Sequence, residues 1–128
     1  MSEPFVGEDR SLARPALMAF TEIAGAWSLT QQERLAILGQ PVETAFASLE
    51  TGTVDDRWPE TIERVGYLIG IYRLLHAIFS DRQQADGWVR RPNTGSPFKG
   101  DSALALMCSG DVADLATVRE YLEANRLG

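Results

Sequence analysis

Between Ile62 and Phe79 the apolar residues Ile62, Val65, Leu68, Ile69, Tyr72, Leu75 and Phe79 recur at steps of three and four, which places them along one side of an α-helix. Nowhere do polar and apolar side chains alternate over five or more positions, as they would in a half-buried strand. The expected fold is therefore all-α, with a helix of about six turns opened by Pro59 as its spine. One compact multi-helix domain suits a chain of 128 residues, which is long enough to bury a core without disulfide or metal.

The rest of the chain carries helix signals of the same kind. The first ten residues contain Pro4, Gly7 and three acids without periodicity, and are expected to form a mobile lead-in. Ser11 can cap a helix to about Ala26 whose buried side holds Leu12, Ala16, Ala19, Phe20, Ile23 and Ala24. Thr30-Gln31-Gln32-Glu33 is a capping box, and the short helix it opens, with Leu35, Ile37 and Leu38, should stop at Gly39. Pro41 opens another helix to about Leu49, closed by Thr51-Gly52, so the pair forms a helix-turn-helix pattern. Beyond the spine, Ser80 and Gln83 match a second capping box, before a short helix containing Trp88 and ending ahead of Pro92. Turn formers from Asn93 to Gly100 surround Phe98 as the expected anchor. Asp101 or Ser102 restarts a helix to about Met107, and Asp111 caps a last one bearing Leu115, Val118 and Leu122.

Several classes of function are disfavoured. A single Cys108 cannot form an internal disulfide, and with one His76 there is no Cys/His set for zinc, so a reducing cytoplasm is expected. The apolar run from Val65 to Phe79 is interrupted by Arg73 and falls short of the roughly 20 residues that span a bilayer. The start, Met1-Ser2-Glu3-Pro4, carries acid where a secretory signal carries Lys or Arg. No GxxxxGK[ST] or GxGxxG is present, and no cofactor is expected.

Charge is distributed unevenly. Residues 1–63 hold four Arg against eleven acids, a net of −7, whereas 64–128 hold eight basic against seven acidic residues, a net of +1. The acidic front half repels phosphate and better matches a basic partner surface. The second helix of the helix-turn-helix, Val42 to Glu50, has no positive residue, so direct base reading by it is disfavoured and Thr44 and Ser48 are weak DNA-contact candidates. Arg82, Arg90, Arg91 and Lys99 face only Asp86 in a basic stretch around Trp88, which reads equally as a solvated rim or a contact surface.

Residues able to do chemistry have plainer explanations. His76 lies beside the spine's apolar stripe without an evident orienting partner, and packing is the favoured role. Cys108 near a helix end reads as a buried structural thiol. Asp55, Asp56, Glu60 and Glu63 cluster where acid meets the positive end of the long helix. A small hydrolase using His76 and Cys108 would need the two within hydrogen-bond reach in an open cleft.

The order of these pieces resembles the Xre/MbcA/ParS-like antitoxins. The resemblance covers roughly residues 25–128 and rests on the helix pair from Leu29 to Gly52, Glu63-Arg64-Val65, Phe79-Ser80-Asp81, Trp88, Pro92-Asn93, Pro97-Phe98-Lys99-Gly100-Asp101-Ser102-Ala103-Leu104 and Val118-Arg119-Glu120-Tyr121-Leu122. The Trp-to-Pro-Asn spacing and the Phe-x-Gly-x-Ser-Ala-Leu stretch are its distinctive part, since helix periodicity does not demand them. After the lead-in expected at 1–10, it implies an Xre-like helix-turn-helix region at 11–58 and a toxin-binding region at 59–128. It further implies a non-enzymatic antitoxin of a type II toxin-antitoxin system, paired with a RES-domain toxin that consumes NAD.

On that resemblance, Tyr121 to Gly128 would block the toxin's substrate entrance, with Arg126, Leu127 and Gly128 at the tip. Trp88 and Phe98 are the expected aromatic anchors, and Arg82, Arg90, Arg91 and Lys99 the surrounding cations. A homodimer and operon repression are family traits, although the acidic second helix departs from the pattern of an operator reader. The alternative from another class is a dimeric helix-turn-helix regulator that binds operator DNA.

Overall fold

A computed structural model describes residues 4–52 and 57–127, of which 4–12 and 127 are described by backbone alone. Asp55, Asp56, Gly128 and the first three residues of the expected lead-in lie outside the described residues. The described chain is all-α: α1 (Pro4–Ala26), α2 (Gln31–Leu38), α3 (Val42–Thr51), α4 (Trp58–Ile78), α5 (Arg82–Gly87), a 3₁₀ turn (Trp88–Arg90), α6 (Ala103–Met107) and α7 (Val112–Leu127).

Helix α1 begins at Pro4, not at Ser11, so residues 4–10 are helical where a lead-in was expected. A proline in the first turn lacks only an amide that has no helical partner there, and a single Gly7 is too weak a breaker to stop propagation. The buried side of α1 is Ala13, Leu17, Phe20, Ile23 and Ala24, continuing to Trp27; Ala16 only flanks it. The helix ends with Ser28 left-handed at φ 55°, while the amides of Trp27 and Leu29 reach back to Ile23 and Ala24.

The caps of the next helices follow the sequence. Thr30 and Glu33 form both bonds of the capping box, at 3.1 and 2.9 Å. Gly39 closes α2 at φ 87°, and a Cβ there would also meet the Arg64 side chain at 3.0 Å, so glycine is required twice over. Helix α3 buries Ala45 and leans on α1 and α2 with Val42, Phe46 and Leu49 half-buried. The Ser80–Gln83 capping box does not form. Asp81 caps α5 instead by accepting the Gln84 amide at 3.0 Å, the same three-residue reach moved on by one, because a carboxylate outcompetes the neighbouring hydroxyl for the helix start.

Helix α4 is the central spine, covered by α1 on one side and α7 on the other, with α2 and α5 at its ends. Covering on two sides widens its buried arc beyond the expected stripe: Val65, Leu68 and Leu75 are joined by Trp58, Thr61, Arg64, Ile71 and Leu74. Ile62, Ile69, Tyr72 and Phe79 pack at the margins. One hydrophobic core runs from Ala13 to Leu122 and joins the front and rear halves. At roughly 1.5–3 kcal/mol for each large apolar side chain buried, this shared core dominates the fold's stability.

Candidate protein-binding site

The rear half is built around three aromatic rings. Trp88 on the 3₁₀ turn, Phe98 in the loop before α6 and Tyr121 on α7 meet with centroid distances of 5.9, 6.2 and 4.9 Å, both contacts of Phe98 being edge-to-face. Phe98 is only 4% exposed, so it is not an anchor offered to a partner; it fills the inside of its own loop. Trp88 and Tyr121 are half-buried around it and retain surface.

The loop that Phe98 fills is closed by its own backbone. Pro92 and Ser102 pair as an isolated antiparallel bridge, Asn93 bonds to Asp101 and Gly100, and Phe98 bonds to Gly95 and Asp101. The Asn93 carboxamide accepts the Gly95 amide at 2.8 Å, and Ser102 caps α6 by accepting the Ala105 amide. Tyr121 approaches Gly95 so closely that a Cβ there would sit 3.2 Å from its hydroxyl. Loop and last helix therefore form one surface.

Helix α7 is held to the core by Leu115, Val118 and Leu122, and Asp111 accepts the Ala113 amide at its start. Beyond Leu122 it remains helical to Leu127 while Glu123, Ala124, Asn125 and Arg126 are all exposed. As far as Leu127, the expected tip is therefore a helical overhang. Asn125 returns its amide to the Tyr121 carbonyl at 2.8 Å.

The cations divide into two groups. Arg90 is occupied within the chain: it donates to the Trp27 and Ser28 carbonyls and to Glu33, the Ser28 bond measuring 2.8 Å. Arg91 donates to the Gln84 carbonyl at 2.8 Å and lies 5.7 Å over the Phe79 ring. Both residues are exposed, and these intramolecular bonds fix where their guanidinium groups stand. Arg82, Lys99 and Arg126 are exposed and make no hydrogen bond or ion pair among the described residues.

Sequence patterns gave no sign of Arg64's role. It is 6% exposed, pairs with Glu60 at 2.7 Å, and donates to the carbonyls of Ala36, Ile37 and Gly110. One side chain thereby joins the C-terminal end of α2, where carbonyls lack helical partners, to the turn ahead of α7.

His76 and Cys108 keep separate company. His76 lies against Tyr72 with ring centroids 4.3 Å apart and planes tilted by 38°, and its Nε2 lies 2.8 Å from Asp86, a partner on α5 that the sequence did not reveal. Burial pushes the Cys108 thiol up, aided by the Glu33 charge, so at neutral pH it is a thiol rather than a nucleophilic thiolate. Among the described residues no group of three or more His, Cys, Asp and Glu could hold a metal ion, and no helix is long and apolar enough to cross a membrane. On α3, Thr44 is exposed and Ser48 half-buried, with Glu43 and Glu50 exposed beside them and no cation in the helix.

The geometry thus sets an aromatic-backed loop beside a helix end that runs on past the core. Residues 74–128 match the family model described as the antitoxin Xre/MbcA/ParS C-terminal toxin-binding domain. Along its whole length the chain is also similar to the protein described as uncharacterized protein y4oB of Sinorhizobium fredii (strain NBRC 101917 / NGR234), with 35% identity over 134 aligned residues covering all of both chains. The chain is a member of the Xre/MbcA/ParS antitoxin family through residues 74–128, which carry that family's toxin-binding domain.

Proposed function

We propose that this protein is the antitoxin of a type II toxin-antitoxin pair, acting in the cytoplasm by covering the active site of an NAD-degrading RES-domain toxin. The observation that carries this reading is the overhang of α7: four successive exposed residues remain helical beyond the last buried one, Leu122. A helix that outruns its own core has a face available to another protein. Trp88 and Tyr121 would supply the apolar contact at its base, with Phe98 holding them in place. Arg126, Leu127 and Gly128 would enter the toxin's substrate entrance, and Arg82 and Lys99 would sit at the rim. Inhibition on this reading is steric and needs no cofactor or catalytic group.

The same reading includes a homodimer formed by the front half. Leu35 is 46% exposed on α2 and lines a groove of about 490 Å³ with Leu29, Pro41 and Val42 and the polar Gln31, Gln32, Arg34 and Glu43. A second copy covering Leu35 would bury this apolar patch, and Leu35→Glu should then give a monomer by light scattering. Operator binding is the less favoured role, because α3 offers no cation to phosphate.

Deleting Arg126 to Gly128 tests the main proposal. The truncated chain should still fold, since Leu122 is the last core residue, but should no longer stop NAD loss by the toxin encoded beside it. Full protection by the truncated chain would refute the plug.

A further inference from the structure

Lys99 occupies the left-handed backbone region at φ 56°, where most side chains carry a conformational cost that Gly or Asn largely escapes. Gly100 follows at φ 89°, so the loop uses glycine at one of two consecutive left-handed positions and lysine at the other. Nothing in the loop's closure needs that lysine. The hydrogen bonds around it run through Asn93, Gly95, Phe98, Gly100 and Asp101, and the apolar filling is Phe98.

The Lys99 side chain is exposed and makes no hydrogen bond or ion pair among the described residues; the Asp101 carboxylate two positions on accepts the Ser102 amide instead. Lys99 lines a groove of about 420 Å³ together with the apolar Pro97, Phe98 and Leu106 and the polar Asp101, Ser102 and Ser109. An exposed ammonium on a closed, hydrogen-bonded loop loses little freedom on meeting an opposite charge.

We propose that Lys99 is a specificity-determining contact, its ammonium reading an acidic side chain on the toxin whose apolar neighbour enters the adjoining groove. This rests on the antitoxin reading above. A protein carboxylate fits better than a nucleic-acid phosphate, because Lys99 lies within the matched toxin-binding residues while the front half carries −7 and α3 has no cation. The closed loop holds the lysine at a backbone cost that Gly or Asn would largely escape.

The test uses the full chain and the toxin encoded beside it, comparing wild type with Lys99→Asn, Lys99→Gly and Lys99→Arg. Lys99→Asn should melt about 2 °C or more above wild type, since Asn tolerates the left-handed region. It should also bind the toxin about 10-fold more weakly and with a shallower salt dependence, whereas Lys99→Arg should bind like wild type. Toxin binding by Lys99→Asn and Lys99→Gly equal to that of a binding-competent wild type would overturn the proposal and leave the antitoxin reading intact. A lowered melting temperature together with weakened binding would overturn it too, as a merely structural effect. So would a DNA-fragment shift that depends on Lys99 while toxin binding does not. Failure of wild type itself to bind the toxin would sink the antitoxin reading, and this proposal with it.

Discussion

Arg90 and Glu33, 57 residues apart in the chain, meet at 3.1 Å, and the same carboxylate oxygen accepts the Thr30 amide at 2.9 Å. The ion pair thus ties the toxin-binding half to the capping box that starts α2, while the same guanidinium holds the carbonyls of the left-handed turn at Ser28. Arg90→Ala should destabilise the protein by about 1–2 kcal/mol in urea unfolding, reduced from the range for charged bonds because the pair is partly exposed. Arg90→Lys should recover less than half of this, since an ammonium cannot fork between two carbonyls and a carboxylate. Full stability of Arg90→Ala would contradict the assignment.

The Glu33 carboxyl is held below the ordinary glutamate value, first by the Thr30 amide and then, against a smaller opposing effect of burial, by Arg90. A lowered folded-state value means stability that is present above the unfolded value of about 4.3 and is lost as pH falls through the folded value. Wild type should therefore exceed Glu33→Gln in stability at pH 6 to 7, and the two should converge as pH drops below about 4. Melting curves of both proteins from pH 7 to pH 3 check this; a constant difference across the range would exclude the linkage.

Arg64 is buried with one exposed partner, Glu60, and three backbone carbonyls. Arg64→Ala should cost about 3–5 kcal/mol, because it leaves those acceptors buried and unpaired as well as a cavity. Glu60→Gln should cost much less, about 1 kcal/mol or under, since the carbonyl bonds survive and the carboxylate is half-exposed. Chemical denaturation of the two variants should give this order; equal losses would mean that the ion pair, rather than the carbonyl bonds, matters most.

Phe98 fixes the loop from inside. Phe98→Ala should destabilise by about 3–5 kcal/mol and remove the near-ultraviolet circular dichroism that Trp88 and Tyr121 owe to their fixed packing. Phe98→Leu should retain most of the stability yet weaken toxin binding, because the loop's frame is set by the ring. Retention of the aromatic signal in Phe98→Ala would show that the three rings do not depend on one another.

What the chain disclosed in advance follows from the range of each interaction. Thr30, Glu33, Gly39, Gly52 and Ser102 act on amides or carbonyls within four residues of themselves, and the structure places them at helix ends as their spacing indicates. Of the two displaced caps, Ser11 falls inside α1 because that helix starts seven residues earlier, and Asp81 in place of Ser80 is a choice between adjacent residues that could each serve. Long-range polar partners left no trace: Arg64 reaches Gly110, Arg90 reaches Trp27 and His76 reaches Asp86, and no periodicity encodes which distant carbonyl a guanidinium will find. The same limit explains Phe98, whose value as an anchor was legible while the side of the surface on which it ended was not. Position 99 was legible only as a charge; its left-handed backbone became visible in three dimensions.

The central claim is that residues 74–128 cover the catalytic cleft of a partner toxin. The most direct measurement is the rate of NAD loss by the proposed partner, a RES-domain toxin, titrated with the purified full chain. The account predicts that the rate falls in proportion to added protein and stops near stoichiometric addition. A rate unchanged at excess protein, with the toxin active and this chain folded, would contradict it.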